Sequence, residues 1–230
     1  MTVTETVTTT TPTQTTPTEK TSLRVYFLSH GKVQPVAREV PKTQAVASAA
    51  FTALLDGPSS PEAAIGLTTS MPRIEPFELK LVNGVLTLTT RPLSGAGLAQ
   101  TVYTLTQFPG RDDVVVNGKR YARTDFEDFT PAILVEHPLP FAIVSSPLRM
   151  AGTANTFEAT FDYELKDASG TVLKKSFVTA SSGSGVRGTF DVTVPFTVSS
   201  AGDGTLTVYE SSAKDGSRIN VVDIPVHLEP

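Results

Sequence analysis

Cysteine and tryptophan are absent from this 230-residue sequence, and histidine occurs only three times. Without cysteine the chain can form no disulfide, no thiolate metal site and no thiol nucleophile. It also has no run of about 20 apolar residues, so we predict no transmembrane segment. The N-terminus lacks a basic region followed by an apolar region, so we expect no signal peptide in this sequence.

An excess of positive charge is absent as well. The chain has 19 Lys and Arg against 23 Asp and Glu, a formal net charge of −4. Basic and acidic residues number 11 and 11 in residues 23–137, and 7 and 10 in residues 138–230. Nucleic-acid binding needs a concentrated Lys/Arg surface that replaces condensed counterions. We therefore predict that nucleic acid is not a partner.

Residues 1–22 consist largely of threonine, interrupted by Pro12 and Pro17. Such a segment buries too little apolar surface to offset the entropy lost on ordering. We predict a disordered Thr/Pro-rich spacer. Two interpretations stay open: a stalk that holds an exported domain away from a membrane or wall, and an ordinary disordered terminus.

Residues 23–137 show mixed helical and strand patterns. Short apolar strands are predicted at 23–28 and 36–40, followed by a helix whose apolar face comprises Ala47, Ala50, Phe51, Leu54 and Leu55. Gly57-Pro58 ends this helix.

Asn83-Gly84 lies between two alternating runs and predicts a tight type I′ hairpin. A second helix is predicted at 98–108, before Pro109-Gly110, and the segment DVVVNGKRY predicts another Asn-Gly hairpin. The order strand, helix, hairpin, helix, strand predicts an α+β domain with helices on one face of a sheet.

Residues 138–230 are predicted to form an all-β, immunoglobulin-like sandwich. A proline-rich connector precedes it, because Pro131, Pro138, Pro140 and Pro147 are incompatible with regular strand ladders. Seven strands are predicted near 141–146, 148–152, 157–166, 171–180, 187–196, 205–212 and 219–228.

The third of these strands has the clearest pattern in the chain. Its predicted buried face comprises Phe157, Ala159, Phe161, Tyr163 and Leu165. Its predicted solvent face comprises Glu158, Thr160, Asp162, Glu164 and Lys166.

Two stretches of the chain resemble known families. AFTALLDGPSSPEAAIGLTTSMP, the following Asn-Gly hairpin and AQTVYTLTQFPGRDDVVV resemble the GerMN family, the sporulation and spore germination domain. EHPLPFAIVSSPLRMAGTANTFEATFDYELKDASG resembles the immunoglobulin-like domain of bacterial spore germination proteins. Together the two resemblances cover nearly all of residues 23–230.

The resemblance implies an exported, often lipid-anchored protein, and it implies a ring-building type of α+β domain. We therefore expect an extracytoplasmic location, with the native protein tethered to the outer face of the cytoplasmic membrane. A lipoprotein needs an N-terminal cysteine, which this sequence lacks. Either an anchor was removed from this version or none existed. The family motifs are structural and carry over no catalytic residue.

Candidate chemistry is sparse, and we predict no catalytic, cofactor-binding or metal-binding residue and no cofactor. His30, His137 and His227 are isolated in sequence, which favours surface or turn positions over a catalytic triad or zinc site. Two acidic groups could hold a hard cation but favour a solvated surface: Asp112 and Asp113, and Asp125, Glu127, Asp128 and Glu136. Asp203-Gly204 and Asp215-Gly216 predict hairpin turns.

Three functions from different classes remain as hypotheses. The first is a non-enzymatic adaptor or assembly protein that binds envelope proteins or copies of itself. The second is a peptidoglycan- or glycan-binding module, which needs exposed aromatic rings. The available rings are Tyr26, Tyr103, Tyr121, Tyr163 and Tyr209, and Tyr163 is predicted to face inward. The third is a hydrolase or a proteinase inhibitor, for which the fold alone is a weak argument.

Overall fold

A computed structural model describes residues 19–72 and 76–230. Within these ranges no helix is long and apolar enough to cross a membrane. The predicted spacer at 1–22 lies mostly outside the described residues. Its last residues do not, because the first strand already begins at Lys20. The folded part of the chain therefore starts before the predicted position 23.

The N-terminal domain contains six strands, three α-helices and a 3₁₀ helix. In chain order they are β1 (Lys20–Ser29), β2 (Lys32–Pro41), α1 (Val46–Asp56), α2 (Ser60–Ala64), β3 (Glu78–Val82), β4 (Val85–Thr89), α3 (Gly95–Leu105), β5 (Asp113–Val116), β6 (Lys119–Ala122) and a 3₁₀ helix at Arg123–Phe129. Of the described strands, β2 alone pairs with β1, which also forms a single bridge from Leu28 to Thr68; the other four strands form a second sheet in the order β3-β4-β5-β6. Helices α1 and α3 pack on the β1–β2 hairpin, and one apolar core joins them to both sheets.

Both predicted Asn-Gly hairpins are present. Asn83 and Gly84 have φ values of 49° and 82°, and Asn117 and Gly118 have 50° and 82°. Positive φ at both central residues is what a type I′ turn requires. The second helix differs from its prediction, since α3 spans 95–105 and ends three residues before the predicted 108.

Polar side chains on α3 and just after its end cover the outer edge of β1. Gln107 accepts from the backbone N–H of Arg24 at 2.6 Å and donates to its carbonyl at 2.5 Å. Thr104 accepts from the N–H of Tyr26 at 3.1 Å, and Gln100 donates to the Tyr26 carbonyl at 3.0 Å. The helix therefore satisfies backbone groups that a neighbouring strand would otherwise satisfy.

The sandwich consists of two facing sheets. Its strands are β7 (Ile133–His137), β8 (Ala142–Val144), β9 (Leu148–Ala154), β10 (Thr160–Asp167), β11 (Val172–Thr179), β12 (Gly188–Val194), β13 (Gly202–Ser211) and β14 (Arg218–Leu228). One sheet has the order β11-β10-β13-β14-β8 and the other β12-β9-β7. Both inner faces contribute to one apolar core. In this core the rings of Phe161 and Phe190 pack edge to face, with their centroids 4.9 Å apart. The immunoglobulin-like architecture is confirmed.

The strand with the clearest pattern begins later than predicted. Phe157 is 67% exposed and lies in a short 3₁₀ turn, where Glu158 and Ala159 have positive φ values of 53° and 57°. Positive φ is incompatible with an extended strand, so β10 starts at Thr160. From there the alternation holds, since Phe161 and Leu165 are fully buried.

The predicted turn at Asp203-Gly204 is also wrong. Both residues lie inside β13, paired with His227 and Val226 of β14. A Cβ on Gly204 would lie 2.6 Å from the Leu228 side chain and 2.7 Å from a backbone carbonyl. This glycine is needed for close packing rather than for a turn. Asp215-Gly216 does lie in a turn, where Gly216 has a φ of 72°.

The segment predicted as a proline connector contains a strand. β7 pairs antiparallel with β9, so Ile133–His137 belongs to the smaller sheet of the sandwich. The smaller sheet of the sandwich therefore begins at Ile133, whereas the predicted boundary between the domains lies after His137. The flanking prolines suggested an irregular segment, but an edge position in the sheet tolerates them.

Candidate functional site at the domain junction

Strand β7 separates the two apolar cores and contributes to both. Ile133 and Val135 are buried in the core of the sandwich. Leu134, which points the other way, is buried in the core of the N-terminal domain. A strand covered on both faces carries a continuous apolar run instead of an alternating one, which explains its sequence ILV. The two domains are therefore joined through a shared strand.

Glu136 on β7 anchors a buried polar cluster at this junction. Tyr26 of β1 donates a short hydrogen bond to its carboxylate, and Arg123 from the 3₁₀ helix donates another at 2.9 Å. Arg123 also lies over the rings of Tyr26 and Tyr103. Burial opposes the charged carboxylate, but Arg123 and the Tyr26 hydroxyl hold the pKa of Glu136 below its ordinary value. Burial raises the pKa of Tyr26, which stays protonated and can donate.

A second set of contacts crosses the junction nearby. Arg187, at the start of β12, donates to the Glu127 carboxylate at 2.8 and 2.9 Å and to the Pro131 carbonyl at 2.9 Å. Asn155 donates to the same carboxylate at 2.9 Å. The hydrogen bonds from Arg187 lower the pKa of Glu127. Glu127 thus connects the 3₁₀ helix of one domain to two loops of the other.

A cleft of about 780 Å³ opens beside the shared strand. This volume lies within the range of ligand pockets, roughly 300–1,000 Å³. Most of its walls are apolar, and Phe141 in the wall is 44% exposed. Its lining includes Ser22, Arg24, Gln107, Phe108, His137, Pro140 and Phe141.

The three histidines occupy separate positions. His30 lies in the β1–β2 turn with a φ of 50°, and His227 on β14 is 3.2 Å from Asp203. His137 ends β7 and lines the cleft. Burial and the neighbouring Arg149 lower the pKa of His137, so the ring is neutral at pH 7.

The acidic residues that were candidates for a cation site are distributed among different contacts. Asp125 accepts from the backbone of Ala122 at 2.9 Å, and Asp113 pairs with Arg120 at 2.6 Å. Glu127 and Glu136 form the junction contacts described above. Among the described residues no group of three His, Asp or Glu side chains has the arrangement of a metal site.

Four of the five tyrosines, Tyr26, Tyr103, Tyr163 and Tyr209, are at most 5% exposed. Only Tyr121 is partly exposed, and Lys119 lies over its ring. The inward orientation predicted for Tyr163 is confirmed. The tyrosines therefore do not form an exposed stacking surface of the kind that binds sugar rings.

The sequence pattern missed a charged cluster on the outer face of the larger sandwich sheet. Glu164 is only 3% exposed, although the alternation correctly places it opposite the core. Its carboxylate lies 3.0 Å from Lys166, 3.0 Å from Lys175 and 2.5 Å from Arg218, and the hydroxyl of Tyr209 donates to it at 3.2 Å. The long neighbouring side chains cover this carboxylate, so a residue on the outer face is nevertheless buried.

The structure thus has an α+β region followed by an immunoglobulin-like sandwich. Residues 24–122 match the family described as sporulation and spore germination. Residues 132–217 match the immunoglobulin-like domain of bacterial spore germination. The chain therefore contains these two family domains, in this order, and the second match begins with the shared strand rather than after it.

A solved structure of the tandem GerMN domains of the sporulation protein GerM from Bacillus subtilis is similar to this chain at 25% sequence identity. The match has a TM-score of 0.36 and covers 48% of this chain. It covers 43% of the solved chain, which is less than half of that protein's length. No curated protein matches the chain.

Proposed function

We propose that this protein is a non-enzymatic adaptor or assembly module of the cell envelope, located outside the cytoplasm and tethered to the cytoplasmic membrane. The presence of these two family domains supports the cellular setting. Neither family description names an enzymatic activity. We retain the two-domain division of the sequence, with residues 133–137 assigned to the sandwich.

The observation that carries this proposal is an open sheet edge in the N-terminal domain. β3 is the first strand of its sheet and, among the residues that the structure describes, pairs only with β4. Its side chains are largely exposed, and two of them are apolar: Leu81 is 58% exposed and Val82 is 47% exposed. Unpaired backbone groups beside exposed apolar side chains are features of a protein-binding edge.

The same sheet has a second edge strand, β6, through which a copy of the protein can bind β3 of another copy. β6 carries Lys119 and Arg120, whereas β3 carries Glu78 and Lys80. Pairing of β3 in one copy with β6 in the next would continue the sheet in one direction and is a heterologous contact, which closes into a ring or extends into a filament. High local concentration on a membrane strengthens such contacts beyond their strength in dilute solution.

A complementation experiment tests the adaptor function. Residues 19–230, which include all of β1, are attached to the membrane by an unrelated lipid anchor in a deletion strain. We expect the phenotype to be restored. The proposal is contradicted if the native protein localises to the cytoplasm. It is also contradicted if the purified protein degrades peptidoglycan or a peptide at a rate that one point mutation abolishes.

The open edge is tested separately with a matched pair of variants. Leu81→Lys places a charge on β3, and Val172→Lys places one on the sandwich, where Val172 is 48% exposed. We expect Leu81→Lys to reduce crosslinking of the tethered protein to its neighbours, while Val172→Lys leaves it unchanged. Equal crosslinking by both variants would remove β3 from the interface.

A further inference from the structure

The outer edge of β1 is covered along only part of its length. In an antiparallel pair, alternate residues direct both backbone groups away from the partner strand. Tyr26 directs its groups to α3 and Arg24 directs its groups to Gln107 just after α3, while Leu28 exchanges two 2.8 Å hydrogen bonds with Thr68. By the same alternation, Ser22 directs its N–H and C=O outward. Ser22 is exposed, and among the described residues neither of these groups has a partner outside the β1–β2 ladder.

This free edge opens into the junction cleft beside Arg24, and both residues line the cleft. Among the described residues, the Arg24 guanidinium forms no ion pair and no hydrogen bond. The carboxylate of Glu62 also lines the cleft, but Arg38 binds both of its oxygens and the Ser59 N–H donates to it at 2.7 Å. His137 is neutral at pH 7. The Arg24 guanidinium therefore brings to the cleft a positive charge that no carboxylate of the described residues contacts, although Glu136 of the junction cluster acts on it through space.

The remaining walls provide apolar surface from both sides of the domain junction. Phe108 and Pro109 follow α3, and Pro140 and Phe141 come from the loop between β7 and β8. A partner that fills the cleft would thus meet three kinds of contact: a strand edge at Ser22, a cation at Arg24, and apolar side chains from both domains.

We propose that this cleft binds the C-terminal end of an extended partner polypeptide whose last residue is apolar. The peptide adds to β1 at Ser22, its free α-carboxylate pairs with Arg24, and its last side chain contacts Phe108 and Phe141. Strand addition and capture of a terminal carboxylate are both known modes of peptide recognition. The inference rests on the proposed adaptor function and specifies the chemistry of one partner.

Fluorescence anisotropy with labelled pentapeptides on the full chain tests the site. The probe Thr-Val-Thr-Val-Leu is compared as a free acid and as a C-terminal amide, and with a free acid that ends in Asp instead of Leu. We expect the free acid ending in Leu to bind, and amidation or the Asp ending to weaken binding about 10-fold or more, as for loss of a charged hydrogen bond. No binding up to about 1 mM, or equal binding of acid and amide, overturns the proposal.

Variants then locate the contact. Arg24→Gln should weaken the acid about 10-fold and leave the amide unchanged. Ser22→Pro removes the outward N–H at an edge position that accepts proline and should also weaken binding, whereas Leu81→Lys, on the separate edge of β3, should not. Equal binding by Arg24→Gln and wild type overturns the site. If the peptides fail to bind while the tethered protein still complements the deletion, this inference is wrong and the adaptor function stands.

Discussion

Replacement of Glu164 by glutamine should destabilise the sandwich, contrary to what its strand position suggests. From the solvent-face position alone, a change here would alter the free energy of unfolding by no more than about 0.5 kcal/mol. In the structure this carboxylate is buried among Lys166, Lys175 and Arg218. Glutamine keeps the shape, but it removes the only negative charge in contact with all three cations.

The magnitude follows from the pKa. Although burial opposes the charged form, hydrogen bonds from Lys175, Lys166 and Arg218 lower the pKa of Glu164 from 4.5 to about 2. At about 1.4 kcal/mol per pH unit, this difference would correspond to about 3 kcal/mol at pH 7. Solvent screens Lys175 and Arg218, whose side chains are 57% and 41% exposed. We therefore expect Glu164→Gln to cost between about 1 and 2 kcal/mol.

The pH dependence has a definite sign. Because the folded-state pKa of Glu164 is depressed, its contribution is complete above about pH 4.5 and is lost as the pH falls towards 2. The difference in the free energy of unfolding between wild type and Glu164→Gln should therefore be largest at pH 7 and nearly absent at pH 2.

Urea denaturation followed by far-ultraviolet circular dichroism, at pH 7, 4 and 2.5, measures this difference. The control is Asp162→Asn on the same face of β10, whose carboxylate accepts one hydrogen bond, at 2.7 Å, from Ser211. We expect the control to change stability by less than about 0.5 kcal/mol. The reasoning is refuted if Glu164→Gln matches the control at pH 7, or if its cost does not decrease with pH.

Three further predictions concern the cores and the junction. Phe161→Asp should unfold the sandwich, because it places an unpaired charge in the core and costs more than about 4 kcal/mol; thermal melts measure this. Gln100→Leu should cost about 2 kcal/mol, because the Tyr26 carbonyl loses a buried donor; urea denaturation measures this. Glu136→Gln should cost about 2 kcal/mol above pH 5 and less as the pH falls below 4.5, because the partly buried Arg123 loses its ion pair; denaturation across this pH range measures the change.

Each has a control and a contrary outcome. Phe177 lies on the outer face and is 65% exposed, so Phe177→Asp should be tolerated. Equal melting temperatures for Phe161→Asp and Phe177→Asp would mean that the assignment of the strand faces is wrong. Gln100→Glu also loses the donor to the Tyr26 carbonyl and buries a charge, so it should cost more than Gln100→Leu; a smaller cost would show that Gln100 does not act through this hydrogen bond. Glu78→Gln breaks an exposed ion pair with Lys80 and should leave the free energy of unfolding unchanged. If Glu136→Gln also leaves it unchanged, the Arg123–Glu136 pair is as exposed to solvent as the control pair.

Local patterns in the sequence determined most of the strands and both Asn-Gly hairpins. Alternation with a period of two specifies the faces of a strand, and Asn-Gly specifies a turn, because both depend only on neighbouring backbone geometry. The sandwich and its order after the α+β domain were predictable for this reason. The start of β10 was not, because the positive φ at Glu158 and Ala159 has no local sequence signal.

Only the tertiary structure decided what lies against each face. Alternation places Glu164 opposite the core, but the long side chains of neighbouring strands bury it. The sheet to which Ile133–His137 belongs depends on pairing with β9. Arg24 lines the cleft at the point where the cover of the β1 edge ends, because Gln107, just after α3, binds the Arg24 backbone there. These are contacts between residues far apart in the chain, so no window of the sequence contains both partners.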